Sequence, residues 1–325
     1  MERLQIVSNA YFKEVIPLLI PGLTTDTLYS SSSSLLGDCK FNIDLNSNAF
    51  IDSLPKKYKP INTRVIQFTS LKVLFSILNE KSIRMYNLKN MNDPQEFNYL
   101  FDKLDDNEDV KFTKEYYRDS IYLSSFCSSD ILKSSSALNL WRLYGSEGYG
   151  VAIEFNIPED IKHKRDFTFC KVAYDDIDLS KFRSANEAFE KKYKVEVDYS
   201  ELFKIPACMH KNPAYSVEQE ERLVYYGKRH IPTDLVKDDY PYNQDVNKFN
   251  EVLTYFKLPL YNVSDYSLPK ITISKIQFGF KISENKFAEL KEELKAHFWN
   301  LSNLDLIEET EIPILEMSPL TNIYR

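Results

Sequence analysis

The sequence predicts an α+β fold: a mixed, mostly antiparallel sheet with flanking helices, preceded by an N-terminal extension. Two observations carry this. Strand-like runs cluster along the chain without the regular strand–helix alternation of a doubly wound parallel sheet. The composition is that of a packed globular protein, 43% hydrophobic and 27% charged, with 22 Tyr, 21 Phe and only 7 Gly in 325 residues.

Residues 1–60 read as an N-terminal extension, with an apolar stretch, a serine tract at Ser30–Ser34 and a polar segment closing on Pro55-Lys-Lys-Tyr-Lys-Pro60. Residues 61–325 read as one elaborated domain. It opens with a strand at Arg64–Phe68 and a helix over Ser70–Leu78, where apolar residues recur at helical spacing. A second strand, Ser82–Tyr86, leads to a helix start encoded by Asp93, Pro94 and Glu96 as cap, first-turn proline and capping-box partner. Further strands are expected at 121–127, 149–155, 167–174, 218–226 and 271–280. Helices are expected at 183–196, 245–257 and 283–298, the last with Phe287, Leu290, Leu294 and Phe298 on one stripe.

A net charge of -7 provides no global field for nucleic acid. Lys162–Arg165 beside Phe167 and Phe169 is the best local basic patch, and a solvated turn explains it more simply. Cysteines 39, 127, 170 and 208 form no C-x-x-C pair, which favours a reducing, cytoplasmic setting over a disulfide framework. The N-terminus lacks signal-peptide order and no apolar run reaches membrane-spanning length, so no membrane association is expected. No metal site is expected, because the four histidines lack partners at ligand spacing apart from the weak Cys208–His210 pair. That pair reads either as nucleophile and base or as structural residues. There is no Walker A, H-E-x-x-H or G-x-S-x-G motif. Gly145-Ser-Glu-Gly148-Tyr-Gly150 precedes a strand rather than a helix, so it reads as a tight turn, not a dinucleotide fingerprint. Trp141 and Tyr144, on one helical face before that turn, serve either the core or the wall of a pocket.

The most informative stretch is Glu218-Gln-Glu-Glu-Arg222. On a strand, Glu218, Glu220 and Arg222 share one face, with the carboxylates about 6.5 Å apart beside a guanidinium. Such a group separates an acid role from a base role. The alternative is a solvated edge strand with one ordinary ion pair.

In order, Gln67-Phe-Thr-Ser70, Asn92-Asp-Pro-Gln-Glu96, Ser125-Phe-Cys-Ser128, Trp141-Arg-Leu-Tyr-Gly145 with Gly150-Val-Ala-Ile-Glu154, and Glu218-Gln-Glu-Glu-Arg222 resemble a bacterial domain-of-unknown-function family. The resemblance spans residues 64 to about 295 and leaves residues 1–60 unexplained. The layout is distantly similar to the ADP-ribosyltransferases, whose split mixed sheet binds NAD. That resemblance implies Glu220 as the catalytic carboxylate, Glu218 as the group preparing the acceptor, and NAD contacts from Gln67, Arg84, Ser125, Tyr144 and Arg222. Gln67 stands where a His or Arg is expected, which passes the cation role to Arg84 or Arg64. The implied function is NAD-dependent transfer of ADP-ribose to a macromolecule, protein or nucleic acid, by a toxin or phage-defence effector with a cognate antitoxin or defence-system partner. The alternatives are a non-catalytic nucleotide, nucleic-acid or protein binding module of the same fold, and an NAD glycohydrolase.

Overall fold

The computed structural model describes residues 2–19, 40–42, 54–60, 63–91, 99–100, 102–103, 114–115, 117–164, 166–175, 178–198, 203–226, 242–246, 250–261, 268–304 and 306–322. Helices α1 (Glu2–Glu14) and α2 (Ile16–Leu19) precede strand β1 (Lys40–Asn42). The sequence then runs through β2 (Arg64–Thr69), α3 (Leu71–Glu80), β3 (Ser82–Asn87), β4 (Ile121–Ser128), α4 (Ala137–Leu143), β5 (Val151–Asn156) and β6 (Phe167–Lys171). After these come α5 (Ser180–Tyr193), β7 (Glu196–Asp198), α6 (Lys204–Met209), β8 (Glu220–Tyr226), β9 (Tyr242–Val246), β10 (Val252–Pro259), β11 (Thr272–Phe278), α7 (Glu284–Asn303) and β12 (Ile314–Met317). Ser70 and Ser283 cap α3 and α7 by accepting from the backbone N–H groups of Val73 and Lys286.

The main sheet orders its strands β12-β11-β5-β2-β4-β3-β10-β9, and β8 joins β4 on a branch that continues to β6. Among the described residues, of its strand pairings only β11–β12 is parallel. The sheet is therefore mixed and mostly antiparallel. β4 is its pivot. One edge pairs with β8 over Ile121–Cys127, while the other is divided: Val65 and Ile66 of β2 meet Ser128 and Cys127, and Tyr86 and Asn87 of β3 meet Leu123 and Tyr122. Beyond Ile66, β2 stays with β5 through Thr69 and leaves β4. The sheet thus splits around Ser124–Phe126.

Each face of the sheet carries its own core. Val65, Phe126, Phe155, Leu223, Tyr225 and Phe256 pack under Leu290, Leu294 and Phe298 of α7, the apolar stripe read from the sequence. The opposite face, with Leu123, Cys170 and Val224, is covered by α5, α6 and the N-terminal segment. Val7, Tyr11, Phe12, Val15, Ile16, Leu19, Leu54 and Tyr58 all belong to this second core. Tyr11 donates to Asn186 of α5 at 2.7 Å and meets the Phe189 ring edge-on. The described parts of residues 1–60, expected as an extension, pack as part of this core. The serine tract and the Asp93 helix start lie outside the described residues, as do Arg165 and the side chains of Lys162 and His163.

The glycine-rich turn locks three elements together. Gly150 donates to the Gly145 carbonyl at 2.9 Å, Gly279 donates to Gly150 at 2.9 Å, and Lys281 donates to Gly148 at 3.0 Å. A Cβ on Gly150 would collide with the Thr69 and Gly145 carbonyls, both backbone atoms that cannot swing aside. Gly150→Ala is therefore expected to cost at least about 2 kcal/mol, read as a lowered midpoint in denaturant. A midpoint within error of wild type would show that the contact relaxes freely.

One element changes type. The helix expected over 245–257 is replaced by β9 and β10, paired with each other, and β10 pairs with β3 from Tyr255↔Tyr86 to Pro259↔Ser82. Asn250 adopts φ 63°, which a helix interior does not accept, and Val252, Thr254 and Tyr255 suit a pleated surface.

Candidate active site

Strand β8 lies between β4 and β6 and is buried on both faces, which is why its sequence lacks a clean polar alternation. Glu218 does not extend it. Asn212 caps the next turn by accepting from Ala214 N at 3.0 Å, Pro213 occupies its first position, and Pro213–Glu218 form a 3-10 helix. Gln219 then takes φ 45° and the strand begins at Glu220. The Asn-Pro start was the sequence signal that this stretch is helical. Glu218 and Glu220 nonetheless converge, through a turn instead of a shared strand face.

Arg222 is completely buried and each of its three guanidinium nitrogens donates a hydrogen bond. Its Nε donates to Glu220 Oε1 at 2.7 Å, Nη2 to Glu220 Oε2 at 3.1 Å, and Nη1 to the Cys208 carbonyl at 3.0 Å. Lys211 lies between the two carboxylates, with Nζ at 2.7 Å from Glu218 Oε2 and 3.3 Å from Glu220 Oε2, and 4.6 Å from the centre of the Tyr215 ring. Tyr144 donates to Glu218 Oε1 at 2.6 Å, and the Glu220 backbone N–H donates to the Tyr174 hydroxyl at 2.9 Å. Two anions thus meet two cations in a group of zero net charge, which burial requires.

Burial opposes ionisation of Glu220, but the Arg222 guanidinium and Lys211 outweigh it and hold the carboxyl well below the usual range. The Ser125 hydroxyl, directly across from Arg222, adds to this while making no well-formed hydrogen bond of its own. Burial, reinforced by Glu220 and Glu218, pushes the Cys127 thiol up, so it stays protonated. Tyr144 is likewise pushed up, by burial and by its bond to Glu218, and remains a donor.

Of the residues singled out in the sequence, Glu218, Glu220, Arg222, Ser125 and Tyr144 come together. Gln67 does not. Ile66 aligns with Cys127, which aligns with Glu220, so Gln67, next along β2, belongs to the opposite face of the sheet. Arg84 is engaged elsewhere, paired with Glu80 at 2.6 Å and Asp245 at 3.0 Å and placed over the Tyr255 ring. Arg64 sits at the exposed start of β2. Trp141 takes its core role, fully buried and edge-on to Phe68, whereas Tyr144 is half exposed. The Cys208–His210 alternative resolves to structure: the His210 ring nitrogens are bonded to Pro206 O at 2.8 Å and the Tyr58 hydroxyl at 3.0 Å. Among the described residues no group of His, Cys, Asp and Glu is placed to hold a metal, and no helix is long and apolar enough to cross a membrane.

One participant was not found in the sequence. Lys211 is seven residues from Glu218, and the intervening turn, not a continuous helix, brings them together.

Residues 140–223 run from α4 through Tyr144 and Lys211 to Arg222. They match the family model DUF2971, described as a protein of unknown function. The matched segment contains all four charged residues of the cluster and Tyr144, but not Gln67, Arg84 or Ser125. No curated protein and no solved structure matches the chain.

Proposed function

We propose that the chain is an ADP-ribosyltransferase-like enzyme that uses NAD as substrate to modify a macromolecule, with Glu218 as the carboxylate that meets the ribose and Glu220 as its buried anchor. The observation that carries this is the unequal exposure of the pair: the Glu218 side chain is 12% exposed and hydrogen-bonded to half-exposed Tyr144, against 4% for Glu220. Cleavage of the ribose–nicotinamide bond passes through an oxocarbenium-like transition state, which an ionised carboxylate stabilises. Tyr144 supplies a ring face for a planar heterocycle beside it. The role of toxin or phage-defence effector and an antitoxin or defence-system partner rest on the motif resemblance alone, and a cytoplasmic setting rests on the cysteine pattern.

A second reading, a non-catalytic binding module, is favoured by one observation. Gln67, which the transferase resemblance assigns to the ribose, lies on the opposite face from Glu220.

One experiment separates the readings. Wild type and Glu218→Gln are incubated with adenylate-labelled NAD in cell extract, and nicotinamide release and label on protein, RNA and DNA are followed. Label that depends on Glu218 supports transfer and names the acceptor class, whereas free ADP-ribose alone indicates a glycohydrolase. Absence of turnover and of NAD binding in the wild type removes the enzyme reading.

A further inference from the structure

Lys211 is buried, charged and held from several sides. Its backbone N–H donates to the Ala173 carbonyl at 3.1 Å, just past β6, and Ala173 N donates to Met209 O at 2.7 Å. The preceding His210 is fixed by Pro206 and Tyr58, and the following Asn212 caps the turn that returns the chain to Glu218. Lys211 and Glu218 therefore bracket one turn, and the ammonium spans its ends. Arg222 is committed to Glu220 by two hydrogen bonds and to the Cys208 carbonyl by a third. On the Glu218 carboxylate, Lys211 holds Oε2 and Tyr144 holds Oε1.

We infer that Lys211 is the positioning residue of the site, tethering Glu218 to the Glu220–Arg222 anchor so that its carboxylate stays against Tyr144 at the solvent edge. The inference rests on the proposed NAD chemistry only for its catalytic consequence; the tether itself is a separate matter. Without the ammonium, Glu218 faces Glu220 with no cation between them, and like charges drive the more exposed group outward. The Glu220–Arg222 fork stays intact.

The test compares Lys211→Met, which keeps an unbranched side chain of similar length but no charge, with Lys211→Arg and wild type. In folded Lys211→Met, kcat for nicotinamide release is expected to fall about 100-fold, the scale of an ångström-sized misplacement, with KM for NAD within about threefold of wild type. Lys211→Arg, which restores a cation and donors, regains part of kcat. In parallel, carboxyl groups are labelled with a water-soluble carbodiimide and an amine and mapped by peptide mass spectrometry. Labelling of Glu218 is expected to rise several-fold in Lys211→Met while Glu220 stays protected. If Lys211→Met does not fold, Lys211→Gln, which is neutral but keeps a donor and leaves Glu220 ionised beside Glu218, carries both readouts with the same expectation for Glu218. Wild type inactive on NAD, with Glu218 labelling raised in the variant, retires the NAD reading and keeps the tether. Unchanged Glu218 labelling, or a kcat in the folded variant within about threefold of an active wild type, overturns the inference.

Discussion

Glu220→Gln is expected to lower the melting temperature by on the order of 10 °C, whereas Glu218→Gln costs far less. Glu220 accepts two hydrogen bonds from a completely buried guanidinium and one from Lys211. The amide keeps the shape but removes the charge, and its NH2 end points a donor at a donor. Removing one partner of a buried ion pair costs about 3–5 kcal/mol, because the cation left behind is neither paired nor hydrated. Glu218 lies nearer the solvent, and its loss leaves Lys211 still paired with Glu220. Thermal melts of the two single variants and of Lys211→Met/Glu220→Gln, which restores neutrality, measure this directly. Equal melting of Glu220→Gln and wild type would mean that the anchor carries no structural load. The consequence for assays is practical: loss of activity in Glu220→Gln reports folding as well as chemistry, so Glu218→Gln is the cleaner test of turnover.

Stability is expected to fall between pH 6.5 and pH 4, before most carboxylates titrate. His210 is buried, and burial pushes its pKa from the ordinary 6.5 to about 4. Its neutral ring suits its surroundings, with Nδ1 bonded to the Pro206 carbonyl and Nε2 to the Tyr58 hydroxyl. In this window the unfolded chain binds the proton and the folded chain does not. The stabilisation is therefore complete above the unfolded pKa and is lost as pH falls towards the folded one, by about 3 kcal/mol for such a shift. Burial and Lys81 also lower His297, which acts in the same direction. Glu220, held low, adds its own loss as pH drops below the ordinary carboxylate value of 4.5. Denaturant midpoints at pH 7, 6, 5 and 4 show the slope, and His210→Gln is expected to be weaker at pH 7 yet flatter down to pH 5. A wild-type midpoint that does not move from pH 7 to pH 4.5 would refute this account. Because Tyr58 is the partner, acid is expected to loosen residues 54–58 first, read by their hydrogen exchange.

Much of the main sheet was legible because its strands announce themselves locally. Arg64–Thr69, Ser82–Asn87 and Ile121–Ser128 carry β-branched and aromatic residues, and the stripe of α7 repeats at helical spacing. The stretch around Val246–Pro259 failed for the opposite reason: its apolar residues fit both periods, and pairing with β3 decided between them. The N-terminal helices were read as an extension because their apolar residues have no partners nearby in sequence. Val7, Tyr11 and Phe12 meet Phe182 and Phe189 some 170 residues later.

The candidate site divides in the same way. Glu218, Glu220 and Arg222 were visible as a cluster of charges in an apolar stretch, and Tyr144 as an aromatic before a glycine turn. These are properties of residue type and short-range spacing, which the sequence by itself determines. Which carboxylate faces solvent, which is locked to Arg222, that Lys211 joins them, and that Gln67 belongs to the other face were decided only by the tertiary structure. The physical reason is that burial and pairing in β8 arise from β4, β6, α6 and the turn after Asn212, elements whose approach no local pattern encodes.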